Sequence, residues 1–279
     1  MARRRLADAP VSRLAVWARR CAFFSLAATV LAIAIVRSGL LEIVPALATF
    51  AGALVFAGFA IMFALGAFVV IWKDGADGAG HAFLALSIGI GLLAYPAYLG
   101  TRAYRLPMIN DITTDPLDPP RFDVVARLRP RGTVEYAGLY AAEQQREAYP
   151  DIEPLNLTAP PQIAYEETIK VITKRKWRMV VDRPPQAGRR DGQIEAVART
   201  PIMGFREDVT LRVRPTRDGA RIDVRSASRY GRHDLGSNAA RIRSLLEDID
   251  DAVTARTEQK RERPAPKPAP AKAAPPAKR

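Results

Sequence analysis

Residues 225–241 read RSASRYGRHDLGSNAAR, and this stretch decides the fold, because within it a strand ends, the chain turns and a helix begins. Just before it, Ile222 and Val224 alternate with Asp223 and Arg225, the period of a half-buried strand. Gly231 and Gly236 permit a tight turn, and Asp234, Ser237 or Asn238 offers a side-chain oxygen to cap the following helix. Ile242, Leu245, Leu246, Ile249 and Val253 then recur at helical spacing, which leaves Arg241, Arg243, Asp248 and Asp251 for solvent.

Three more strand-like runs lie upstream. Trp177, Met179 and Val181 alternate, residues 192–199 carry Ile194, Ala196 and Ala198 on one face, and Val209, Leu211 and Val213 alternate again. PPQAGRRDG separates the first two and TRDG precedes the last strand, both with turn chemistry. Pro160 and Pro161 open a helix to about Lys174 that sets Tyr165, Ile169 and Ile172 on one face. The order helix, four strands, helix predicts an α+β soluble domain over residues 162–256: an antiparallel four-stranded sheet with two helices packed on one face.

Residues 101–161 are dense in Pro, Asp and Tyr, and INDITTDPLDPPRF has no sustained period, so an extended proline-rich arm with one short helix near Tyr140–Glu147 is expected. Asp111, Asp115 and Asp118 lack the glycine and closing glutamate of a calcium loop, and turn capping accounts for them better. Residues 257–279, rich in Pro, Ala and Lys, cannot bury a core and are expected to be a disordered tail.

Residues 21–100 read as a three-helix transmembrane region. Cys21–Val36 is uncharged and, with LAVWA before it, reaches the ~20 residues that cross a hydrocarbon core. A second apolar run follows almost at once, unlike a cleaved signal peptide. Ile43–Trp72 carries no charge, with Pro45 near its start, and His81–Gly100 leads to the interfacial Tyr95, Tyr98 and Tyr104. Ala53, Ala57, Ala60 and Ala64 lie four apart within pairs, a spacing that so alanine-rich a segment also produces by composition alone. Neither the second nor the third run holds an Asp, Glu, Lys or Arg, which argues against an ion or proton pathway.

The chain carries a formal net charge of +13, most of it at the ends. The 1–20 arm contributes +5 and the residues from Gln259 onward +6, which leaves +2 for the rest and no support for nucleic-acid binding by the folded part. Arginines in the 1–20 arm and Lys73 outweigh Arg37, Arg102 and Arg105 on the other side, so the arm is expected to be cytoplasmic and everything after Gly100 to face outward. One cysteine, Cys21, and two histidines, His81 and His233, cannot assemble the usual zinc site, and no metal or cofactor is expected.

On the sheet face away from the helices, alternation places Arg212, Arg214, Asp223 and Arg225, with Glu195 or Arg199 nearby; arginine outnumbers acid there. Beside a helix amino terminus, this points to an anion site made of Arg225, Ser226, Ser228, Arg229, Asp234, Ser237, Asn238 and Arg241. The same residues read better as a plain junction in which Asp234 caps the helix and pairs with Arg229 or Arg225, while Ser226 and Ser228 satisfy turn backbone. A catalytic alternative uses Ser226 or Ser228 as nucleophile, His233 as base and Asp234 as its support, without the glycine-framed turn that usually presents such a serine.

IEAVARTPIMGFREDVTLRVRP (residues 194–215) followed by RIDVRSASRYGRHDLGSNAARI (residues 221–242) resembles the carboxy-terminal signature of domain-of-unknown-function family fourteen ninety-nine, and the likeness runs from about Asn110 to Ile249. The family occurs in proteobacteria and plastid-bearing organisms, and many bacterial members are membrane-anchored, which implies a bacterial inner membrane and a periplasmic domain. Some members carry an asparagine-cysteine pair where this chain has NDITTD, so no role of that cysteine transfers. The resemblance brings no activity. Three functions are compatible with the sequence: binding of an anionic envelope ligand or a membrane-protein partner, an envelope enzyme built on the Ser/His/Asp cluster, or an anchor whose basic tail touches anionic lipid or cell-envelope polymer.

Overall fold

The computed structural model of the chain describes residues 9–39, 43–129, 138–186 and 190–262. The arm before residue 9 and the tail after residue 262 lie outside the described residues.

Three helices are long and apolar enough to cross a membrane: α1 Arg13–Ser38, α2 Ile43–Asp74 and α3 Ala79–Arg105. They pack through small residues. Ala15, Ala18 and Ala22 of α1, Ala53, Ala57, Ala60, Ala64 and Ala67 of α2, and Ala82, Ala85 and Gly89 of α3 are buried, while Phe24, Val55, Met62 and Val69 stay exposed. The paired alanines of α2 are therefore a packing seam rather than a by-product of composition, since backbones approach closely only where side chains are small. Ser25 Oγ adds an interhelical hydrogen bond to Ala53 O at 2.7 Å.

The rest of the chain builds one antiparallel sheet. Its strands are β1 Asp111–Thr113, β2 Leu155–Leu157, β3 Arg178–Arg183, β4 Gly192–Arg199, β5 Arg206–Pro215 and β6 Ala220–Ser228. The order is β1-β6-β5-β4-β3, and β2 also pairs with β6. The expected four strands are thus six. The two additions come from the proline-rich arm and share one edge of β6, β1 against residues 225–227 and β2 against residues 220–222. Each is three residues long, too short for a period to show, and is held by pairing with a nine-residue partner. Where β2 leaves β6, an added Cβ on Gly219 would sit 2.1 Å from Leu157 O, so the TRDG turn needs glycine for clearance as well as for its φ of 154°.

Four shorter or longer helices complete the domain: α4 Val124–Arg127, α5 Leu139–Ala148, α6 Pro161–Lys174 and α7 Ser237–Glu262. Helices α6 and α7 cover one sheet face, as the pattern predicts. Ile172 of α6 and Ile242, Leu245 and Ile249 of α7 are fully buried with Ile194, Leu211 and Ile222 of the sheet, each such side chain contributing ~1.5–3 kcal/mol. Helix α7 continues six residues past Arg256, because TEQKRE contains no helix breaker and the first proline of the tail is Pro264. Arg241, expected in solvent, has a side chain only 10% exposed and forms an ion pair with Glu207.

Candidate functional site

Register fixes where each motif residue points. Val209 faces Ser226 and Leu211 faces Val224 on the helix side, while Asp208 faces Ala227 and Arg212 faces Asp223 on the opposite side. Consequently Ser226 and Ser228 point toward α7, and Arg225 and Arg229 point away from it. The predicted site is divided between the two faces of the sheet.

On the helix side a polar network is closed upon itself. Ser226 Oγ bonds Asn238 Oδ1 at 2.8 Å and accepts from Arg241 Nη1 at 3.0 Å, and Arg241 Nη1 also reaches Asn238 Oδ1 at 2.6 Å. Asn238 Nδ2 donates to Asn110 O at 3.0 Å and to Ser228 Oγ at 3.1 Å, and Ser228 donates to Glu207 Oε1 at 3.1 Å. Burial pushes the Arg241 guanidinium down to about 10, which leaves it cationic at neutral pH and makes Glu207 its necessary counter-charge. Asp234 caps α7, accepting Gly236 N at 2.8 Å and Asn238 N at 2.9 Å; burial still pushes its carboxyl above the ordinary range, against those two hydrogen bonds.

On the other side most of the arginines are met by carboxylates. Arg225 grips Asp111 through Nε and Nη2, and Arg229 lies 2.7 Å from Asp208, which also holds Arg129 at 2.8 Å. Phe122 sits between Arg225 and Arg129, whose guanidinium carbons lie 4.6 and 4.7 Å from its ring centre. Arg212, Arg214 and Arg221 are shared among Asp115, Asp118 and Asp223 at 2.7–3.5 Å. This face is a set of ion pairs covered by residues 111–129. The three aspartates that resemble a calcium loop are occupied as partners of arginine and, for Asp115, as a turn cap on Asp118 N at 3.1 Å. Among the described residues no group of three or more His, Cys, Asp or Glu side chains gathers as a metal site.

The Ser/His/Asp reading meets a different geometry. His233 Nδ1 accepts Leu235 N at 3.0 Å, which leaves Nε2 as the donor toward Ala103 O at 3.3 Å. Both ring nitrogens are thus engaged with backbone, and both serines are bonded within the Asn238 network.

That His233–Ala103 bond is one of two clamps that the described residues form between the domain and the apolar helices. The other joins Arg37, at the end of α1, to the β4–β5 turn: Arg37 Nη1 donates to Pro201 O at 2.7 Å and Ile202 O at 3.0 Å, and Arg199 Nη1 donates back to Arg37 O at 3.2 Å. Between the clamps lies a partly enclosed cavity of about 360 Å³. Leu47 of α2 and Tyr95, Leu99 and Arg102 of α3 form one wall, and Ile202, Met203, Phe205 and Arg206 form another. Ser228, Arg229, Asp234 and Ser237 of the predicted site border it, whereas Arg225, Ser226, Asn238 and Arg241 do not. Arg102 and Arg206 form no ion pair among the described residues, although Arg102 also stacks at 5.9 Å from the Tyr98 ring.

Glu207, Asp208, Asn110, Arg102 and Arg206 are absent from the sequence-derived site. Only the adjacent acids carried a signal: neighbours on a strand point to opposite faces, so Glu207 and Asp208 must each neutralise a different layer. Arg102 looked like an interfacial charge at the end of an apolar run, and Arg206 like one more residue of a turn.

No curated protein matches the chain. A family model described as Protein of unknown function (DUF1499) matches residues 111–249, from the first residue of β1 into α7. The match includes both edge strands, α6 and the first half of α7, so Ser226, Ser228, Glu207, Asn238 and Arg241 lie within it, while Asn110 and the apolar helices precede it. The α+β domain that follows the three membrane-span-like helices belongs to the DUF1499 family.

Proposed function

We propose that the chain is a non-enzymatic protein of a bacterial inner membrane, with a cytoplasmic amino terminus and a periplasmic α+β domain that binds an anionic envelope component. The observation that carries this reading is the pair Arg102 and Arg206 at one cavity, neither in an ion pair among the described residues, while Arg225, Arg229 and Arg241 are each engaged by a carboxylate. Two guanidiniums that no carboxylate among the described residues engages favour an anion at a mostly apolar cavity whose own acids, Glu207 and Asp234, are taken up by Arg241 and by the cap of α7, because a low-dielectric surround strengthens each charge-assisted hydrogen bond. The motif residues Ser228, Arg229, Asp234 and Ser237 support the wall, and the Asn238 network keeps that wall rigid. Orientation rests on the arginines of the 1–20 arm and Lys73, against Arg37, Arg102 and Arg105.

The test is native mass spectrometry of the full chain purified in mild detergent. A retained anionic adduct is expected, and Arg102→Ala with Arg206→Ala should remove it while Arg225→Ala lowers stability first. Retention of the adduct by the double variant overturns the site. A reporter fused after Arg256 checks orientation, and a cytoplasmic signal there overturns the periplasmic assignment.

A further inference from the structure

We infer that the anion held at this cavity is the headgroup of a membrane lipid, whose chain lies along α3 between the apolar helices and the domain. The inference rests on the proposed anion site and names the source of its ligand.

The lining is ordered by polarity along one helix. Arg102, Leu99 and Tyr95 line the cavity in succession, and seven residues of helix span about 10 Å. That is most of the depth of one leaflet of a hydrocarbon core ~30 Å thick. Arg102 lies at Gly236, beside Asp234 and His233 of the domain, Arg206 lies at Gly39 at the end of α1, and Leu99, Tyr95 and Leu47 of α2 supply the apolar part of the lining. A soluble anion needs only the first part. An amphiphile uses both.

The domain contributes the matching half. The β4–β5 turn brings Ile202, Met203 and Phe205 to the same cavity, and Ile202 is 41% exposed there despite its size. Arg37 holds this turn down through the carbonyls of Pro201 and Ile202, and Gly204, with φ 72°, leaves room for the Arg37 stem, to which an added Cβ would come within 2.9 Å. At the other clamp Gly236 plays the same part under Arg102, where a Cβ would lie 2.6 Å from Nη2. Two tight clamps thus hold the domain against α1 and α3, and the described residues leave a cavity beside Ile43 and Leu47 of α2. The volume, about 360 Å³, sits at the small end of ligand pockets of ~300–1,000 Å³, which suits a headgroup and the upper part of a chain with the remainder in the bilayer.

The experiment places the full chain in nanodiscs of equal phosphatidylglycerol and phosphatidylcholine, releases it in the mass spectrometer and counts bound lipid. One phosphatidylglycerol per chain, favoured about tenfold over phosphatidylcholine, is expected. Leu99→Trp, which fills the apolar end, should abolish that preference, and Met203→Trp, on the domain wall, provides the same block should the first variant fail to insert. Inorganic phosphate and glycerol phosphate are titrated in parallel against the detergent-purified chain. Equal retention of the two lipids overturns the inference. Binding of free phosphate that Leu99→Trp and Met203→Trp leave unchanged also overturns it, while sparing the anion site. Absence of every anion overturns both readings.

Discussion

Asp111 and Arg225 meet through two parallel hydrogen bonds, Nε to Oδ1 at 2.9 Å and Nη2 to Oδ2 at 2.7 Å, joining the first strand of the domain to the last. Their side chains are 5% and 12% exposed, and Arg225 also stacks on Phe122. Breaking a pair this deep strands a charge, at a cost of about 3–5 kcal/mol. Asp111→Asn should therefore lower stability by about 3 kcal/mol in chemical denaturation, and adding Arg225→Met should recover part of the loss. A cost within about 0.5 kcal/mol for Asp111→Asn, the range of an ordinary surface change, would mean that Arg225 does not need this partner.

Glu195 caps a helix from the neighbouring strand. Its carboxylate, fully buried on β4, accepts the backbone N–H groups of Asp123, Val124 and Val125 at 2.7, 3.0 and 2.8 Å, and these are the donors that a helix amino terminus leaves unsatisfied. Glu195→Gln keeps the shape but turns one acceptor into a donor facing N–H groups. The expected loss is about 1–3 kcal/mol, and amide exchange should rise at residues 123–125 while β4 and β5 stay protected. Unchanged exchange at α4 would show that the cap is dispensable.

The arginine-rich face shows what a sequence can and cannot disclose. Alternation placed Arg212, Arg214, Asp223 and Arg225 on the side away from the helices, and the register agrees. The charge balance of that face did not follow, because Asp111, Asp115 and Asp118, which neutralise it, lie about a hundred residues earlier in a segment without a period. Strands β3 to β6 and helices α6 and α7 were legible since each repeats its apolar residues over several turns or pleats. Strands β1 and β2 are legible only from β6. Of the site, the sequence offered Asp234 as a helix cap beside Ser237 and Asn238, but Arg102 and Arg206 come to line one cavity only once the domain is docked on α1 and α3.

Helix α7 responds to acid with opposite signs at its two ends. Farther along it, an Arg243 hydrogen bond holds Asp151 below the ordinary carboxylate range, and Glu167, which burial alone would raise, is brought below it by hydrogen bonds from Lys170 and Arg256. Carboxyls lowered by folding contribute stability that is present above their unfolded range and lost as pH falls through the lowered folded values. Asp234 is raised by burial, so its contribution is full below the unfolded range and is lost as pH rises through the raised value. On acidification below the unfolded carboxylate range, amide exchange should accelerate from Arg243 toward Arg256 before it does at Asn238. Simultaneous loss along the whole helix would contradict this order.

The helix seam is tightest at Gly89. A Cβ there would lie 2.6 Å from Ile61 Cγ1 and 3.1 Å from Ala57 O, so α2 and α3 approach as closely as they do only because position 89 has no side chain. Gly91, two residues on, has nothing within 4 Å and provides the comparison on the same helix. Gly89→Ala forces Ile61 to move and should cost about 1–3 kcal/mol of bundle stability in bicelles, Gly89→Leu should cost more, and Gly91→Leu should be nearly neutral. Because Leu47 of α2 and Leu99 of α3 form one wall of the cavity, Gly89→Leu should also weaken retention of the anionic adduct without touching a residue that lines it. Equal effects of Leu at 89 and 91 would show that the two helices are not held at this distance by Gly89.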